Sequence, residues 1–290
     1  MNAKLKIVVL AKQVPDTRNV GKDAMKEDGT VNRSALPAIF NPEDMNALEQ
    51  ALRIKDKIKD SEIQLLTMGP GRAADIIREG LFRGADGGVL LTDRKFAGAD
   101  TLATSYAISQ AVRKMNPDII VAGRQAIDGD TAQVGPQVAE KLGWPQITYA
   151  EEILDIDEKS VTVRRRLERG VEVVKAPLPV LVTVTGSAAP CRPRHAKQLM
   201  KYKSARTVSE SQAENAEYAA SNSCSGYVIP EWGFAEIGGE ESSYGMSGSP
   251  TKVKKIENII LQAKESRTLT SSDTDIDSLV KELIASHTIG

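Results

Sequence analysis

The sequence of 290 residues is poor in the side chains on which most protein-borne chemistry depends. It contains only two histidines, two cysteines and 4% aromatic residues. His195 and His287 lie in different polar contexts, and Cys191 and Cys224 are far apart, so none has the spacing of a metal site or a disulfide framework. No GxSxG elbow or Walker loop is present. We therefore expect any chemistry to come from a bound cofactor, which leaves a carrier, a sensor or a scaffold.

The chain also lacks a charge imbalance and a long apolar run. Lys and Arg total 38 against 39 Asp and Glu, a net charge of −1. This balance gives no long-range field to attract nucleic acid, and few aromatic rings are available to stack on bases. The run Ile7–Ala11 is too short for a signal peptide or a membrane span. We expect no nucleic acid or membrane partner, and the few cysteines fit a reducing cytoplasm.

What the sequence does contain is an alternation of short apolar runs and amphipathic stretches over about the first 150 residues. The apolar runs predict strands at Ile7–Leu10, Ile63–Leu66, Val89–Leu91 and Ile119–Ala122. From Glu151 to Val184 the period changes to two, which predicts a β-hairpin unit that extends the sheet. The prediction is an α/β fold with an open, mostly parallel, doubly wound sheet, Rossmann-like and adenine-nucleotide-binding.

Two regions are expected along the chain. Residues 1–190 are predicted to form the nucleotide-binding α/β domain, including the hairpin extension at 151–184. After Pro190 the composition is polar and shows no core of its own until a terminal amphipathic helix. Its apolar stripe consists of Ile276, Leu279, Val280, Leu283 and Ile284. Residues 191–290 are therefore predicted to be an extended arm, which covers either a partner or its own domain.

The segment Gly123–Gly135 is the most informative stretch, because it joins a predicted strand to a predicted helix. Open α/β sheets bind nucleotides at such places. Small residues let main-chain N–H groups approach a pyrophosphate, and a helix start adds positive partial charge. Asp130 with Gln133 predicts a capping box, whereas Pro136 leaves open where the regular helix begins. A solvated turn without a ligand is the alternative.

Two other strand ends are candidate walls of the same site. Asn41 is predicted to cap the first crossover helix, with Pro42 at its first position and Glu43 and Asp44 in its first turn. Met68, followed by Gly-Pro-Gly, closes the second predicted strand and presents main chain at its carboxyl end. A purely structural role, as a cap and a packed thioether, is the alternative for Asn41 and Met68.

Several segments together resemble the β subunit of electron-transferring flavoproteins. They are Ala11–Asp16, Phe40–Pro42, Thr67–Pro70, Gly123–Gly135, Trp144–Gln146 and Val163–Val184. The run Arg165–Glu172 followed by Leu178–Thr183 is similar to the family's signature, although Arg169 stands where Gly or an acid is expected. The resemblance spans about residues 4 to 203. It implies pairing with an α subunit that carries an FAD, and a β-subunit site that holds either AMP or a second FAD.

The resemblance also implies a nucleotide site at the matched positions. These are Leu10, Ala11, Asn41, Pro42, Glu43, Asp44, Met68, Gly123, Arg124, Gln125, Ala126, Ile127, Asp128, Gly129, Asp130, Thr131, Ala132, Gln133 and Val134. Asp130, Thr131 and Gln133 are expected nearest the phosphates and ribose. Family members that bind AMP usually have Asn and Thr at the positions of Ala132 and Val134, so two hydrogen bonds to the nucleotide would be lost here.

The segments Asp128–Pro136 and Gly245–Val253 resemble instead the electron-bifurcating members, which bind FAD in the β subunit. This resemblance implies that NADH delivers hydride to that FAD, and that the electrons pass to the α-subunit FAD and to a low-potential acceptor such as ferredoxin or flavodoxin. Arg165 and Arg166 are expected near the flavin, where positive charge favours its anionic reduced form. A solvated basic strand face is the alternative for the two arginines. A scaffold that binds AMP for stability is the alternative for the whole chain.

Partner docking is implied for Pro193–Met200, which aligns with the loop by which the family recognises acyl-CoA dehydrogenases. The expected docking residues are Arg194, His195, Leu199 and Met200. The loop is about two residues shorter than in the family and lacks its Leu-Pro pair. This difference leaves open whether Leu199 is the anchoring residue and which dehydrogenase is the partner.

Overall fold

The computed structural model describes residues 4–16, 37–213, 226–251 and 268–289. The chain divides into two structural units, Met1–Lys252 and Val253–Gly290. Of the residues singled out in the sequence, Cys224 and Val253 lie outside the described residues. Every helix in the described ranges is too short or too polar to cross a lipid bilayer.

Strands and helices alternate along most of the first unit. The strands are β1 (Leu5–Leu10), β2 (Gln13–Pro15), β3 (Ala38–Phe40), β4 (Ser61–Met68), β5 (Gly87–Leu91), β6 (Ile119–Gly123), β7 (Gln146–Ile156), β8 (Ser160–Leu167), β9 (Gly170–Pro177), β10 (Val180–Val184), β11 (Arg206–Thr207), β12 (Val228–Ile229) and β13 (Glu231–Trp232). The helices are α1 (Pro42–Lys57), α2 (Ala74–Arg83), α3 (Thr101–Met115), α4 (Val134–Leu142), α5 (Ala196–Tyr202), α6 (Val208–Ala213) and α7 (Phe234–Ile237). Short 3₁₀ turns lie at Gly71–Ala73, Arg94–Phe96 and Glu241–Ser243.

The central sheet has the strand order β13-β5-β4-β1-β6-β10-β7-β8-β9. From β13 to β7 every neighbouring pair is parallel, whereas β8 and β9 are antiparallel additions. The chain winds from β1 outward to β4 and β5, and then returns to β6 on the other side of β1. The order therefore reverses between β1 and β6, which is where open α/β sheets bind ligands. The predicted α/β fold and its four strands in residues 1–150 are confirmed.

The sheet is buried on both faces at its centre. In β1, Ile7 and Val9 belong to the core under α1 and α2, whereas Val8 and Leu10 belong to the core under α3 and α4. This division follows from the strand geometry, because successive side chains point to opposite faces. A strand covered on both sides needs a continuous apolar run, which is how β1 reads in the sequence.

The region predicted as a hairpin unit divides into two parts. β7, β8 and β9 form an antiparallel meander at one end of the sheet, with turns near Asp157 and Arg169. β10 does not continue that meander but inserts between β6 and β7, parallel to both. All five of its residues are buried, so Val180–Val184 is a central strand of the doubly wound sheet.

Within the first unit, the described residues after Pro190 pack more closely on the central sheet and its helices than their polar composition indicates. β13 extends the sheet beside β5, and Tyr244 is buried against the rings of Phe96, Tyr106 and Phe234. In the second unit, α8 (Asp273–Ala285) forms the predicted terminal helix, capped by Ser272. Four of the five residues of its apolar stripe are exposed and Leu283 is half-buried, so an arm that covers a partner stays a prediction.

Candidate nucleotide crevice and docking segment

Asp44 joins the two strand ends that flank the reversal point of the sheet. It lies in the first turn of α1 and is only 7% exposed. Its Oδ2 accepts the main-chain N–H of Lys12, just after β1, at 2.8 Å. Its Oδ1 accepts the N–H of Gly123, at the end of β6, at 3.0 Å. One buried carboxyl group thus fixes the distance between the two walls of the crevice.

Burial raises the pKa of the Asp44 carboxyl to about 7, against hydrogen bonds from Asn41, Lys12 and Gly123 that lower it. The neighbouring Glu43 carboxylate raises this pKa further. Desolvation dominates because the interior disfavours the charged form. The charge of Asp44 therefore changes near neutral pH.

Asn41 and Glu43 hold the loop that follows β6. Asn41 is fully buried, its Nδ2 donates to the Gln125 carbonyl at 2.8 Å, and its Oδ1 accepts from the Ile127 N–H at 3.2 Å. Glu43 accepts from the Gln125 N–H at 2.9 Å and from the Arg124 guanidinium at 3.0 Å. Asn41 occupies the predicted cap position with Pro42 first in the helix, but its side chain makes no cap hydrogen bond. It bonds the distant loop instead.

The middle of the loop is held by side chains and by an unusual backbone conformation. Lys12 Nζ lies 2.8 Å from Asp128 Oδ1, and Gln125 donates to Asp130 at 2.8 Å. Asp130 and Ala132 have positive φ angles of 49° and 53°. For a residue with a Cβ this conformation costs about 1–2 kcal/mol. Such strain is typical of segments whose shape is needed for binding.

The predicted capping box is wrong. α4 begins at Val134 with Gln133 at the cap position, and Gln133 makes no side-chain cap bond. Asp130 lies in the left-handed region and bonds Gln125 instead. Pro136 falls within the first turn of α4, where its missing N–H has no intrahelical acceptor to lose. The helix therefore starts without strain from the proline.

A row of main-chain donors is left without acceptors where the loop enters α4. Among the described residues, the N–H groups of Thr131, Ala132, Gln133, Val134 and Gly135 meet no hydrogen-bond acceptor. Consecutive free N–H groups at a helix N-terminus suit an anion such as a phosphate. The donor set therefore fits the phosphates of a nucleotide.

The segment Gly245–Thr251 reaches the same loop through the start of α3. Asp100, which caps α3, donates its N–H to Ser249 Oγ at 2.8 Å and accepts the Thr251 N–H at 3.1 Å. The next residue, Thr101, donates to Gln133 Oε1 at 2.9 Å. A chain of hydrogen bonds thus connects this C-terminal segment to the entry of α4. Neither Asp100 nor Thr101 was singled out from the sequence, because each resembles an ordinary cap and first helical residue.

The other matched positions lie along the same edge of the sheet. Leu10 ends β1, Met68 ends β4, and the Ala11 N–H donates to the Leu66 carbonyl at 3.0 Å. The fold therefore brings the nineteen matched positions to the carboxyl ends of β1, β4 and β6. Lys12 was missed as a site residue, although it follows Ala11 in a segment that carries the resemblance.

A cleft of about 840 Å³ lies beside the loop. It is lined by Glu43, Arg124, Tyr149, Arg166, Leu167, Glu168, Arg169, Thr185, Gly186 and Ser187. Arg166 is in this lining, whereas Arg165 is not and donates to the Thr148 hydroxyl at 3.3 Å. The Glu151 carboxylate lies 2.6 Å from Arg166 Nε and offsets its charge. The pKa of Glu151 is lowered by this contact.

The predicted docking residues lie apart from the crevice, next to α2. Arg194 pairs with Glu79, and the His195 N–H donates to the Phe82 carbonyl at 2.8 Å. His195 then caps α5 by accepting the Lys197 N–H. Leu199 and Met200 are 36% and 61% exposed on that helix. Within the described ranges, no cluster of three or more His, Cys, Asp or Glu side chains has the arrangement of a metal site.

Comparisons with known proteins agree with this architecture. A family model described as "Electron transfer flavoprotein domain" matches residues 28–215. The electron transfer flavoprotein subunit beta of Megasphaera elsdenii is 45% identical over 259 residues, which cover 87% of this chain and 87% of that protein.

Two further relatives carry names that mention a reductase. The caffeyl-CoA reductase-Etf complex subunit CarD of Acetobacterium woodii is 49% identical over 62% of this chain and 68% of its own length. The acryloyl-CoA reductase electron transfer subunit gamma of Anaerotignum propionicum is 48% identical over 66% of this chain and 71% of its own length. With the matched domain covering more than half of its residues, the chain belongs to the family of electron transfer flavoprotein β subunits.

Proposed function

We propose that this subunit binds FAD in the crevice between β1 and β6 and passes electrons from NADH to the FAD of an α subunit and to a low-potential acceptor. FAD supplies the exchange of a hydride for single electrons. The chain itself binds, orients and shields the group. A ferredoxin or a flavodoxin is the proposed acceptor class.

The observation that carries the proposal is the position of Gly245–Thr251. This segment is tied to Asp100 and, through Thr101, to Gln133 at the entry of α4. We propose that this segment forms a further wall of the crevice near the entry of α4. A dinucleotide such as FAD is longer than AMP and can use contacts beyond the phosphate-binding loop.

Ala132 and Val134 also favour FAD over AMP. Ala132 has a left-handed backbone, which Asn tolerates better than Ala. An alanine here therefore keeps a strained backbone without the amide that would bond an AMP in other members of the family. Val134 likewise offers no hydroxyl. Neither side chain can form a hydrogen bond with the nucleotide, and Val134 packs partly against the core under α3 and α4.

For the partners, the proposal is an α subunit and an acyl-CoA dehydrogenase or reductase. Two relatives are named as subunits that work with reductases of CoA thioesters. The segment Arg194–Met200 is the proposed contact with that enzyme.

The test is the nucleotide content of the heterodimer. We would co-express the chain with its α subunit, denature the purified complex, and quantify released FAD and AMP by chromatography. Two FAD and no AMP per heterodimer are expected, with anaerobic reduction by NADH as the second readout. One FAD plus one AMP would overturn the proposal and make the chain a scaffold that binds AMP for stability.

A pair of variants tests the structural argument. Ala132→Asn with Val134→Thr restores the two hydrogen-bonding side chains and should increase the AMP content at the expense of FAD. The control is Val208→Thr on α6, where the replaced side chain is 41% exposed. This variant should leave the FAD and AMP content unchanged. If the double variant keeps the wild-type content, Ala132 and Val134 do not select the nucleotide.

Arg166 remains a candidate for adjusting the flavin potential from the cleft beside the loop. Because Glu151 already offsets its charge, we expect Arg166→Ala to shift the potential less than removal of an unpaired charge would. Unchanged flavin potentials in Arg166→Ala would remove this role and leave Arg166 as part of a surface ion pair.

A further inference from the structure

The side chain of Gln133 is held at one end and free at the other where the loop enters α4. Gln133 occupies the cap position, in the row of free main-chain N–H groups, and its side chain is exposed. Its Oε1 accepts from the Thr101 hydroxyl at 2.9 Å. Its Nε2 meets no acceptor among the residues that the structure describes. The amide is therefore fixed by its oxygen and can donate to a ligand through its nitrogen.

The direction of the Thr101 bond decides which end of the amide is free. A hydroxyl group has one hydrogen to donate and can accept another hydrogen bond at the same time. Gln137 Nε2, in the first turn of α4, donates to Thr101 Oγ1 at 3.5 Å, which is a long and weaker bond. The hydroxyl hydrogen consequently goes to Gln133 Oε1, and Gln133 Nε2 stays available as a donor.

Stability alone does not explain Gln137. Its Oε1 is buried and has no hydrogen-bond partner within the described ranges. A buried acceptor without a partner destabilises the folded state. The presence of this glutamine is explained if its amide sets the direction of the Thr101 bond.

Thr101 is itself held firmly, so it can orient another side chain. It is the first residue of α3, directly after the cap Asp100, whose Oδ1 accepts the Ala103 N–H at 3.0 Å. Near the far ends of the two helices, Arg113 Nη2 donates to the Lys141 carbonyl at 2.5 Å. α3 and α4 are therefore joined near both ends, and the Thr101 hydroxyl keeps a fixed position relative to the entry of α4.

A fixed donor at this place favours an anion. The NH₂ group of a glutamine only donates, and Gln133 belongs to a row of main-chain donors at a helix N-terminus. An exposed glutamine otherwise samples many rotamers, and holding it before the ligand arrives lowers the entropic cost of binding. A hydrogen bond to a charged oxygen is also stronger than one between neutral groups.

We propose that Thr101 is a positioning residue, which orients the Gln133 amide so that Nε2 donates to a phosphate group of the bound nucleotide. Gln137 sets the direction of the Thr101 bond. The inference rests on the proposed function, because it needs a nucleotide in the crevice. It does not depend on whether that nucleotide is FAD or AMP, since both carry phosphate.

The test is the affinity of the heterodimer, freed of its crevice nucleotide, for FAD, AMP and adenosine, measured by calorimetry. Thr101→Val keeps the branched shape and removes the hydroxyl, whereas Thr101→Ser keeps the hydroxyl. The matched control is Thr104→Val on the same helix, where the hydroxyl has no partner among the described residues. The melting temperature is measured for each variant, so that a folding defect is recognised.

Thr101→Val should lose about tenfold in affinity for FAD and for AMP, as expected when a hydrogen bond to a charged group is weakened. Its affinity for adenosine, which has no phosphate, should stay within about twofold of the wild type. Thr101→Ser and Thr104→Val should bind each ligand like the wild type. Gln133→Leu should lose at least as much as Thr101→Val, and the double variant should lose no more than Gln133→Leu, because Thr101 acts only through Gln133.

Equal affinities for FAD and AMP in Thr101→Val and Thr104→Val would overturn the inference and leave the proposed function intact. A loss for adenosine as large as the loss for AMP would also overturn it, since Thr101 would then shape the crevice and not the phosphate contact. Binding of AMP without FAD would contradict the proposed function, while the AMP and adenosine titrations would still decide the role of Thr101. A wild type that binds neither FAD nor AMP would overturn both.

Discussion

The nucleotide crevice and the docking segment are both held by carboxylates of the helices on one side of the sheet, but through different donors. In the crevice, Asp44 and Glu43 accept main-chain N–H groups from the ends of β1 and β6. In the docking segment, Glu49 and Glu79 accept mainly from arginine side chains. α1 serves both regions, with its first turn at the crevice and Glu49 farther along.

Main-chain donors and arginine side chains hold a segment with different rigidity. A main-chain hydrogen bond to a buried acceptor fixes the backbone and leaves no side chain free to adjust. An arginine that is about one third exposed tolerates small shifts and contributes less, because solvent screens it. The main chain around the crevice is therefore fixed in one geometry, whereas the predicted docking segment is anchored through side chains that can adjust.

The largest expected effect is the titration of Asp44. Its pKa rises from 3.8 to about 7 on folding, because burial disfavours the carboxylate. The folded state therefore keeps a proton that the unfolded state has released, and the free energy of unfolding falls as the pH rises through this window. At 1.36 kcal/mol per pKa unit the loss is at most about 4 kcal/mol.

Urea unfolding of the wild type and Asp44→Asn at pH 5 and pH 8 measures this effect. The amide does not titrate, so the wild type should lose more stability than the variant between the two pH values. Equal losses would show that Asp44 is already ionised in the folded protein at pH 5.

The second effect concerns the close approach of α1 to β6. A Cβ at Gly123 would lie 2.3 Å from Asp44 Oδ1, whereas a Cβ at Gly129 would meet no atom within 4 Å. We expect Gly123→Ala to cost about 3 kcal/mol by overpacking. Gly129→Ala should stay within about 0.5 kcal/mol, as exposed substitutions do. Equal melting temperatures for the two variants would contradict the tight junction at the crevice.

The third effect distinguishes a buried bond in the crevice from one outside it. Asn41→Ala leaves the Gln125 carbonyl and the Ile127 N–H without their partner. We expect this change to lower the free energy of unfolding by about 2 kcal/mol. Asn46 lies on the same helix as the start of the crevice, α1. Asn46→Ala removes hydrogen bonds to the carbonyls of Ala188 and Ala189 and should lower the free energy of unfolding by a comparable amount. Only Asn41→Ala should also weaken nucleotide binding, measured by calorimetry on the apo heterodimer. Equal nucleotide affinities in the two variants would show that Asn41 does not support the nucleotide site.

The smallest effect sharpens the comparison at the docking segment. Arg192→Gln removes the ion-pair partner of Glu49, which is only 5% exposed. We expect the free energy of unfolding to fall by about 1–2 kcal/mol, a value already reduced for the solvent exposure of the arginine. Arg53→Gln removes the other arginine of Glu49, which is more exposed, and should cost about 0.3–0.5 kcal/mol. Reversal of this order in chemical denaturation would mean that Arg192 does not anchor the segment.

Local patterns in the sequence predicted much of the frame. The apolar runs of β1, β4, β5 and β6 and the Asn-Pro start of α1 depend only on neighbouring residues, and they hold in the structure. The capping box at Asp130 and Gln133 failed although its spacing was suitable, because Asp130 bonds Gln125 and adopts a positive φ. β10 was assigned to the hairpin unit, since periodicity cannot tell which neighbour a strand will pair with.

The sequence by itself determined the alternation of strands and helices, the position of the loop after β6, and the scarcity of nucleophiles and metal ligands. Only the tertiary structure decided which groups meet. Asp44 and Gly123 are 79 residues apart, and Arg192 and Glu49 are 143 apart. Secondary structure follows from contacts between near neighbours, whereas these bonds exist only after the sheet has brought distant segments together. For this reason the position of the crevice was predictable from the sequence, whereas the carboxylate contacts of Asp44 and the anchoring of Arg192 to α1 were not.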